Sequence, residues 1–371
     1  MRSCNKGLFG SLFFLLIFSF RAGLSGVWST PVDLSAAGAD AAEPKAALND
    51  AGQAVAVWVR GGVVQAATLS FGGSWSAAVD LSSQGDLSSE PQVALNASGQ
   101  AVAVWTRISG ANADILAATL VFGGSWTAPV SLTSLGTAVN SPRVAINASG
   151  QAAALWCKSD GSYFLVEAAT LLFGGGWSAA EALSSTGGNA SAPALAFNDA
   201  GQTAAVWIRE DVVQARTSTF GGAWGSGANL SKKPAVSSTF LLMDPYGNVR
   251  ASWRRAVGEK TAYEMGTLVF GGSWTAPIFL TSTERPMDYV RIAFNYSGGA
   301  VVVWNKAMWG NELIFALTYD YSAWSDLAVL SQPGQNAAGP LAALNNAGQT
   351  LALWLRSNGS HQILQAAAKP I

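Results

Sequence analysis

Histidine, cysteine and charge are all scarce in this chain, and each scarcity removes a class of chemistry. His361 is the only histidine in 371 residues. A Ser-His-Asp triad would have to rest on that one residue near the C-terminus, and a His/Cys zinc site has no ligand set. There are two cysteines, Cys4 and Cys157; a disulfide scaffold is not expected. Only 12% of the residues are charged, and the formal net charge is −1, which argues against a nucleic-acid partner. Glycine pairs are common, but no Lys-Ser/Thr follows them as a phosphate loop requires. No run of alternating acidic calcium ligands appears. Neither a metal nor a cofactor is expected.

One long apolar stretch stands apart from the rest. Arg2 and Lys6 precede the run Leu8 to Phe20, and the small residues Ala22, Gly23, Ser25 and Gly26 follow it. That is the layout of a signal peptide over residues 1–25, so the mature protein is expected to be secreted, periplasmic or at the cell surface. Its removal takes away three of 21 basic residues and none of 22 acidic ones, leaving a formal charge of −4. No later stretch approaches the roughly 20 apolar residues of a transmembrane helix. A monomer is expected.

What is abundant is repetition. The segment Pro91 to Arg107, PQVALNASGQAVAVWTR, occurs in seven versions whose tryptophans are Trp58, Trp105, Trp156, Trp207, Trp253, Trp304 and Trp354, at intervals of 46 to 51 residues. Nine residues before each Trp stands Asn or Asp, and six before it always Gly. A side chain that bonds its own backbone, followed by a residue free to take positive φ, makes a tight hairpin. The next strand alternates Ala with Val and is apolar on both faces, as expected of a strand sandwiched between sheets. A third strand closes on a Phe-Gly-Gly-x-Trp turn at 71–75, 122–126, 173–177, 220–224 and 270–274, with 320–324 (DYSAW) as a variant, and the Trp opens a fourth strand.

Four antiparallel strands repeated seven times at about 50 residues predict an all-β, seven-bladed β-propeller over residues 26–371. The N-terminal end begins with a lone fourth strand and the C-terminal end stops after a third. Residues 27–35 are therefore expected to complete the last blade beside residues 340–368, removing open edges. The fifth unit is the most eroded, with Thr239 where other units carry Pro.

The FGGSW turn resembles the Asp-box (BNR) position of the sialidase superfamily, Ser-x-Asp-x-Gly-x-x-Trp, with its Gly and Trp kept and its Ser and Asp missing. The mature chain is also similar to bacterial secreted proteins built from GGxWSxPxxLS and VAxNxxGxAxAVWxR units. The resemblance implies a sialidase-like propeller but is a weak guide to activity. Sialidases need three arginines, the first in a Phe/Tyr-Arg-Ile-Pro motif, and a Tyr nucleophile. Val290-Arg291-Ile292-Ala293 is the nearest string and lacks the Pro. No catalytic residue is assigned.

Two features suggest binding. Two residues after each repeated Trp stand Arg60, Arg107, Lys158, Arg209, Arg255, Lys306 and Arg356, seven of 18 basic residues in the mature chain. They would form either an anion-binding ring at the channel mouth or a repeated structural contact, and seven equal copies suit the structural contact better. Trp309 is the one Trp of 15 outside the two repeated positions, in a loop, and Tyr163 holds a similar place; such aromatics can stack on a sugar or dock a protein. The expected function is that of a secreted, non-catalytic module that binds carbohydrate or another extracellular or surface macromolecule. A sialidase-like hydrolase and a structural envelope protein are the alternatives.

Overall fold

The computed structural model describes residues 27–370 except 111, 135, 233–235, 258–259, 284–289, 296–298, 309 and 321–322. The proposed signal peptide and Trp309 lie outside the described residues. Seven four-stranded antiparallel sheets form the molecule. The blades, numbered 1 to 7, begin with inner strands Ala41–Leu48, Leu87–Leu95, Val139–Ile146, Ala190–Phe197, Val236–Met243, Val290–Phe294 and Ala337–Leu344. Each continues through a second, a third and an outer strand; blade 1 runs on through Gln53–Arg60, Val63–Ser70 and Val79–Asp80. This is a β-propeller.

The last blade is closed by the start of the chain. Val32 and Asp33 pair with Ala366 and Gln365, and Ser29 N–H donates to the Ala368 carbonyl at 2.7 Å. Six of the seven outer strands are only two residues long, which leaves little free edge for unwanted strand pairing.

The repeated Trp is the packing unit between blades. Trp58 is fully buried against Leu351, Leu353 and Leu364 of blade 7, and Trp105 against Val55, Val57 and Val64 of blade 1. Alanines flank the Trp on the second strand, so neighbouring sheets approach closely while one large ring fills the space between them.

The hairpin Asn does more than make its turn. Asn49 Oδ1 accepts from Gln53 N–H at 2.9 Å, while its Nδ2 donates to the Asn96 carbonyl of the next blade at 2.8 Å. The same inter-blade bond runs from Asn96 to Asn147, from Asn147 to Asn198, from Asn295 to Asn345 and from Asn345 back to Asn49. Blade 5 has Asp244 here, a side chain with no amide to donate. Burial opposes its ionised form, but bonds from the Asn248 side chain and from the Asn248 and Tyr246 amides hold its carboxyl below the usual range.

Six of the seven inner strands carry a bulge just before the mid-point, the described part of blade 6's strand being the exception. In blade 1, Ala42 pairs with Val59 and Lys45 with Val57, so two residues oppose one. The first bulged residue takes a left-handed conformation, at Glu43 (φ 53°), Glu90 (54°), Ser141 (57°) and Ala192 (49°). Pro follows each of them, a residue that cannot donate to the ladder and is tolerated at such a break.

Candidate functional site

The seven basic residues after the Trp do not converge on a common point. Arg107 makes a two-pronged contact with Asp114, at 2.9 and 2.8 Å, and Asp114 is fully buried. Lys158 bonds Glu167 at 3.3 Å and Arg255 bonds Glu264 at 2.7 Å. Each of these glutamates also accepts the Nε1–H of its own blade's Trp, Trp156 or Trp253. Arg356 reaches Asp33 and Gln335. Arg60 donates to the carbonyls of Ala36 and Ala37, and Arg209 to those of Ser185 and Thr186. Lys306 is exposed. Six of the seven therefore hold the third strand, the outer strand or the preceding linker in place. Tyr163 is 39% exposed in its loop, where its backbone N–H and that of Ser162 bond the Asp160 carboxylate and keep that carboxyl below its ordinary pKa.

A different set of residues gathers at the channel, and it is one the repeat does not share. Four positions before the hairpin Asn or Asp, the inner strands carry Lys45, Gln92, Arg143, Ala194, Phe240, Arg291 and Leu341. Three cations thus come from blades 1, 3 and 6, and a Phe that is 59% exposed comes from blade 5. Leu242, two residues on, is 53% exposed where every other blade has Ala. Lys45 and Arg143 are half-buried, and their side-chain bonds go only to the carbonyls of the prolines beside them, at 3.3 and 2.7 Å. Burial lowers the pKa of Lys45, and the charges of Arg143 and Arg291 lower it further, while the carboxylates of Glu43 and Glu90 offset part of this. Burial also lowers that of Arg143. Cations from three blades therefore feel one another around the axis.

The carboxylates closest to this cluster are already engaged. Glu90 N–H donates to the Glu43 carboxylate, while Glu90 Oε2 accepts from Ser141 N–H at 2.7 Å and from the Thr106 hydroxyl at 3.2 Å. These bonds tie the bulges of blades 1, 2 and 3 together. Glu43 and Glu90 thus act as braces between inner strands, and neither forms an ion pair with Lys45 or Arg143.

Other groups offer less. Cys157 is buried, and burial pushes its thiol up to about 12, so it stays protonated and unreactive. His361 Nδ1 lies 3.5 Å from Asp40 at the surface. Among the described residues no group of three or more His, Cys, Asp or Glu is placed to hold a metal ion, and no helix is long and apolar enough to cross a membrane.

No protein-family model and no curated protein sequence matches the chain. Solved structures do. The polysaccharide lyase Uly1 superposes with a TM-score of 0.54 at 11% identity, covering 86% of this chain and 88% of that one. The lectin of Aleuria aurantia (TM-score 0.47, 16% identity, 82% of this chain and 100% of that one) and the NanB sialidase from Streptococcus pneumoniae (0.43, 11%, 89% and 68%) are similar to this propeller more loosely. At these identities the likeness is one of fold.

The channel set was legible in the sequence in principle. The signal is a repeat position at which the copies disagree, the reverse of the agreement that singles out the Arg/Lys ring.

Proposed function

We propose that this protein is an exported, non-catalytic carbohydrate-binding propeller whose channel takes an acidic saccharide. The observation that carries the reading is the pair Lys45 and Arg143: half-buried cations with no carboxylate at ion-pair distance, within electrostatic reach of a third cation, Arg291, from another blade. Keeping unpaired charges partly desolvated is costly, and a carboxylate or sulfate that bonds them relieves that cost. Phe240 and Leu242 add an apolar wall for the carbon face of a sugar ring. The propeller neighbours include a polysaccharide lyase, a lectin and a sialidase, so the fold is one on which carbohydrate ligands are met. The non-catalytic part is supported by Glu43 and Glu90, whose oxygens are committed to backbone N–H groups of adjacent blades. Export is supported by Arg2, Lys6 and the Leu8 to Phe20 run.

The test is calorimetric titration with polygalacturonate, a uronate polymer, against neutral dextran. Binding of polygalacturonate alone is expected, weakening with added salt. Hydrogen bonds to charged groups are worth about 1.5–3 kcal/mol, so Lys45→Gln with Arg143→Gln should weaken binding by about tenfold or more. Equal binding of both polymers, or an unaffected double variant, would remove the channel reading. Release of new reducing or unsaturated ends from the polymer would remove the non-catalytic one.

A further inference from the structure

A second set of departures from the repeat gathers between blades 3 and 4. On the third strand, the position paired with the start of the second strand is Leu69, Leu120, Leu171 and Leu268 in blades 1, 2, 3 and 5, each buried against the preceding blade. Blade 4 has Ser218 there. Its cross-strand partner is Thr203, where blades 1, 2 and 3 have Ala. Two residues before Ser218, on the same face, stands Arg216, where the other blades carry Ala, Gly or Leu. Opposite, on the outer strand of blade 3, Glu181 replaces the Val, Ile or Ala of every other blade. Blade 7 also carries polar residues at the first two positions, Thr350 and Lys369, but there Lys369 Nζ donates to Thr318 of blade 6 at 2.6 Å, whereas Thr203, Ser218 and Glu181 line open space between blades 3 and 4.

That space is a cleft. A hollow of about 320 Å3 lies here, lined by Thr203, Ser218, Phe220, Trp224, Ser178 and Glu181, among others. That is at the small end of the range of ligand pockets, about 300–1,000 Å3. Thr203 is 3% exposed, and its hydroxyl has no hydrogen-bond partner among the described residues. Trp224, half-buried, forms one wall. Phe220 is steadied by Phe197, stacked at 6.3 Å between ring centroids.

We infer that the cleft between blades 3 and 4 is a binding site for a terminal neutral pyranose of a glycan. An indole wall suits the C–H face of a sugar ring. The hydroxyls of Thr203 and Ser178 and the exposed carboxylate of Glu181 supply both donors and acceptors for vicinal hydroxyls. Glu181, the one charged residue of the lining, disfavours an acidic ligand, and the size admits one ring. This site is separate from the channel; it shares with the proposed function only the class of ligand.

Saturation-transfer NMR with methyl α-D-glucopyranoside, methyl α-D-mannopyranoside, methyl β-D-galactopyranoside and methyl α-L-fucopyranoside tests it on the full chain. At least one should give a signal with the unmodified protein. That signal should be lost in Ser218→Leu, which restores the repeat residue and narrows the hollow, and in Glu181→Val, a surface change to the residue found in three other blades. It should persist in Lys45→Gln with Arg143→Gln, so that failure of the channel reading is told apart from failure of this one. No signal from any of the four pyranosides, or a signal undiminished in both Ser218→Leu and Glu181→Val, would overturn the inference.

Discussion

The junction between blades 2 and 3 and the junction between blades 3 and 4 are built on the same plan and end differently. At the first, Leu171 and Ala152 fill the space beneath Trp177 and join one apolar cluster with Ile115 and Ala117 of blade 2. At the second, Ser218 and Thr203 occupy those two places beneath Trp224, and neither belongs to the cluster that holds the junction together. The backbone pairing is unchanged. A propeller can thus widen the space between two blades by replacing a buried leucine, because the hydrogen-bonded ladders and the Asn bridges hold the sheets in register without it.

That comparison can be broken deliberately. The largest effect should come from making the closed junction resemble the open one: Leu171→Ser removes a buried leucine and places a hydroxyl among apolar groups, at a cost of about 2–5 kcal/mol in urea unfolding. Next, Asn96→Asp copies blade 5 into the bridged part of the ring. It loses the 2.9 Å bond to the Asn147 carbonyl and leaves that acceptor unmet beside a carboxylate, so a loss of about 1–3 kcal/mol is expected in the same assay. Ser218→Leu should act in the opposite direction. Burying a leucine gives about 1.5–3 kcal/mol and the lost serine bonds cost about 1, for a net gain of about 1 kcal/mol seen as a higher urea midpoint.

The smallest effect concerns pH. Lys45 has its folded pKa lowered by burial and by its cationic neighbours. Between that value and the ordinary 10.5 the unfolded chain holds a proton the folded chain has released. Stability should therefore rise with pH through that window, and Lys45→Gln should flatten the rise. Urea midpoints of the two proteins at matched pH values check it.

The fold was readable because the features that build it are the ones repeated. Asn49, Gly52 and Trp58 recur at fixed spacing, and the unmatched strands at the two ends of the chain pointed to the closure now seen at Val32–Ala366 and Asp33–Gln365. The reading was incomplete where one residue does two jobs. In the sequence the Asn marks only its own turn, and its bond to the next blade appears only when the blades stand side by side. Sites were harder for a related reason: agreement among copies attracts attention, and it led to the Arg/Lys ring. The structure holds six of those seven residues against carboxylates, carbonyls or a side-chain amide within their own blades and linkers. Lys45, Arg143 and Arg291 looked like scattered charges because blades 1, 3 and 6 are far apart in sequence. They become a group only around the channel. Ser218 and Glu181 likewise lie on different blades, and their conjunction needs the three-dimensional ring.

The central claim is that binding lies where the blades disagree and scaffolding where they agree. The most direct measurement is the affinity for polygalacturonate of two double variants side by side: Lys45→Gln with Arg143→Gln in the channel, and Arg60→Gln with Arg209→Gln in the repeated ring. The account predicts that the channel variant binds about tenfold or more weakly while the ring variant keeps the affinity of the unmodified protein. Retained affinity in the channel variant together with loss in the ring variant would contradict it.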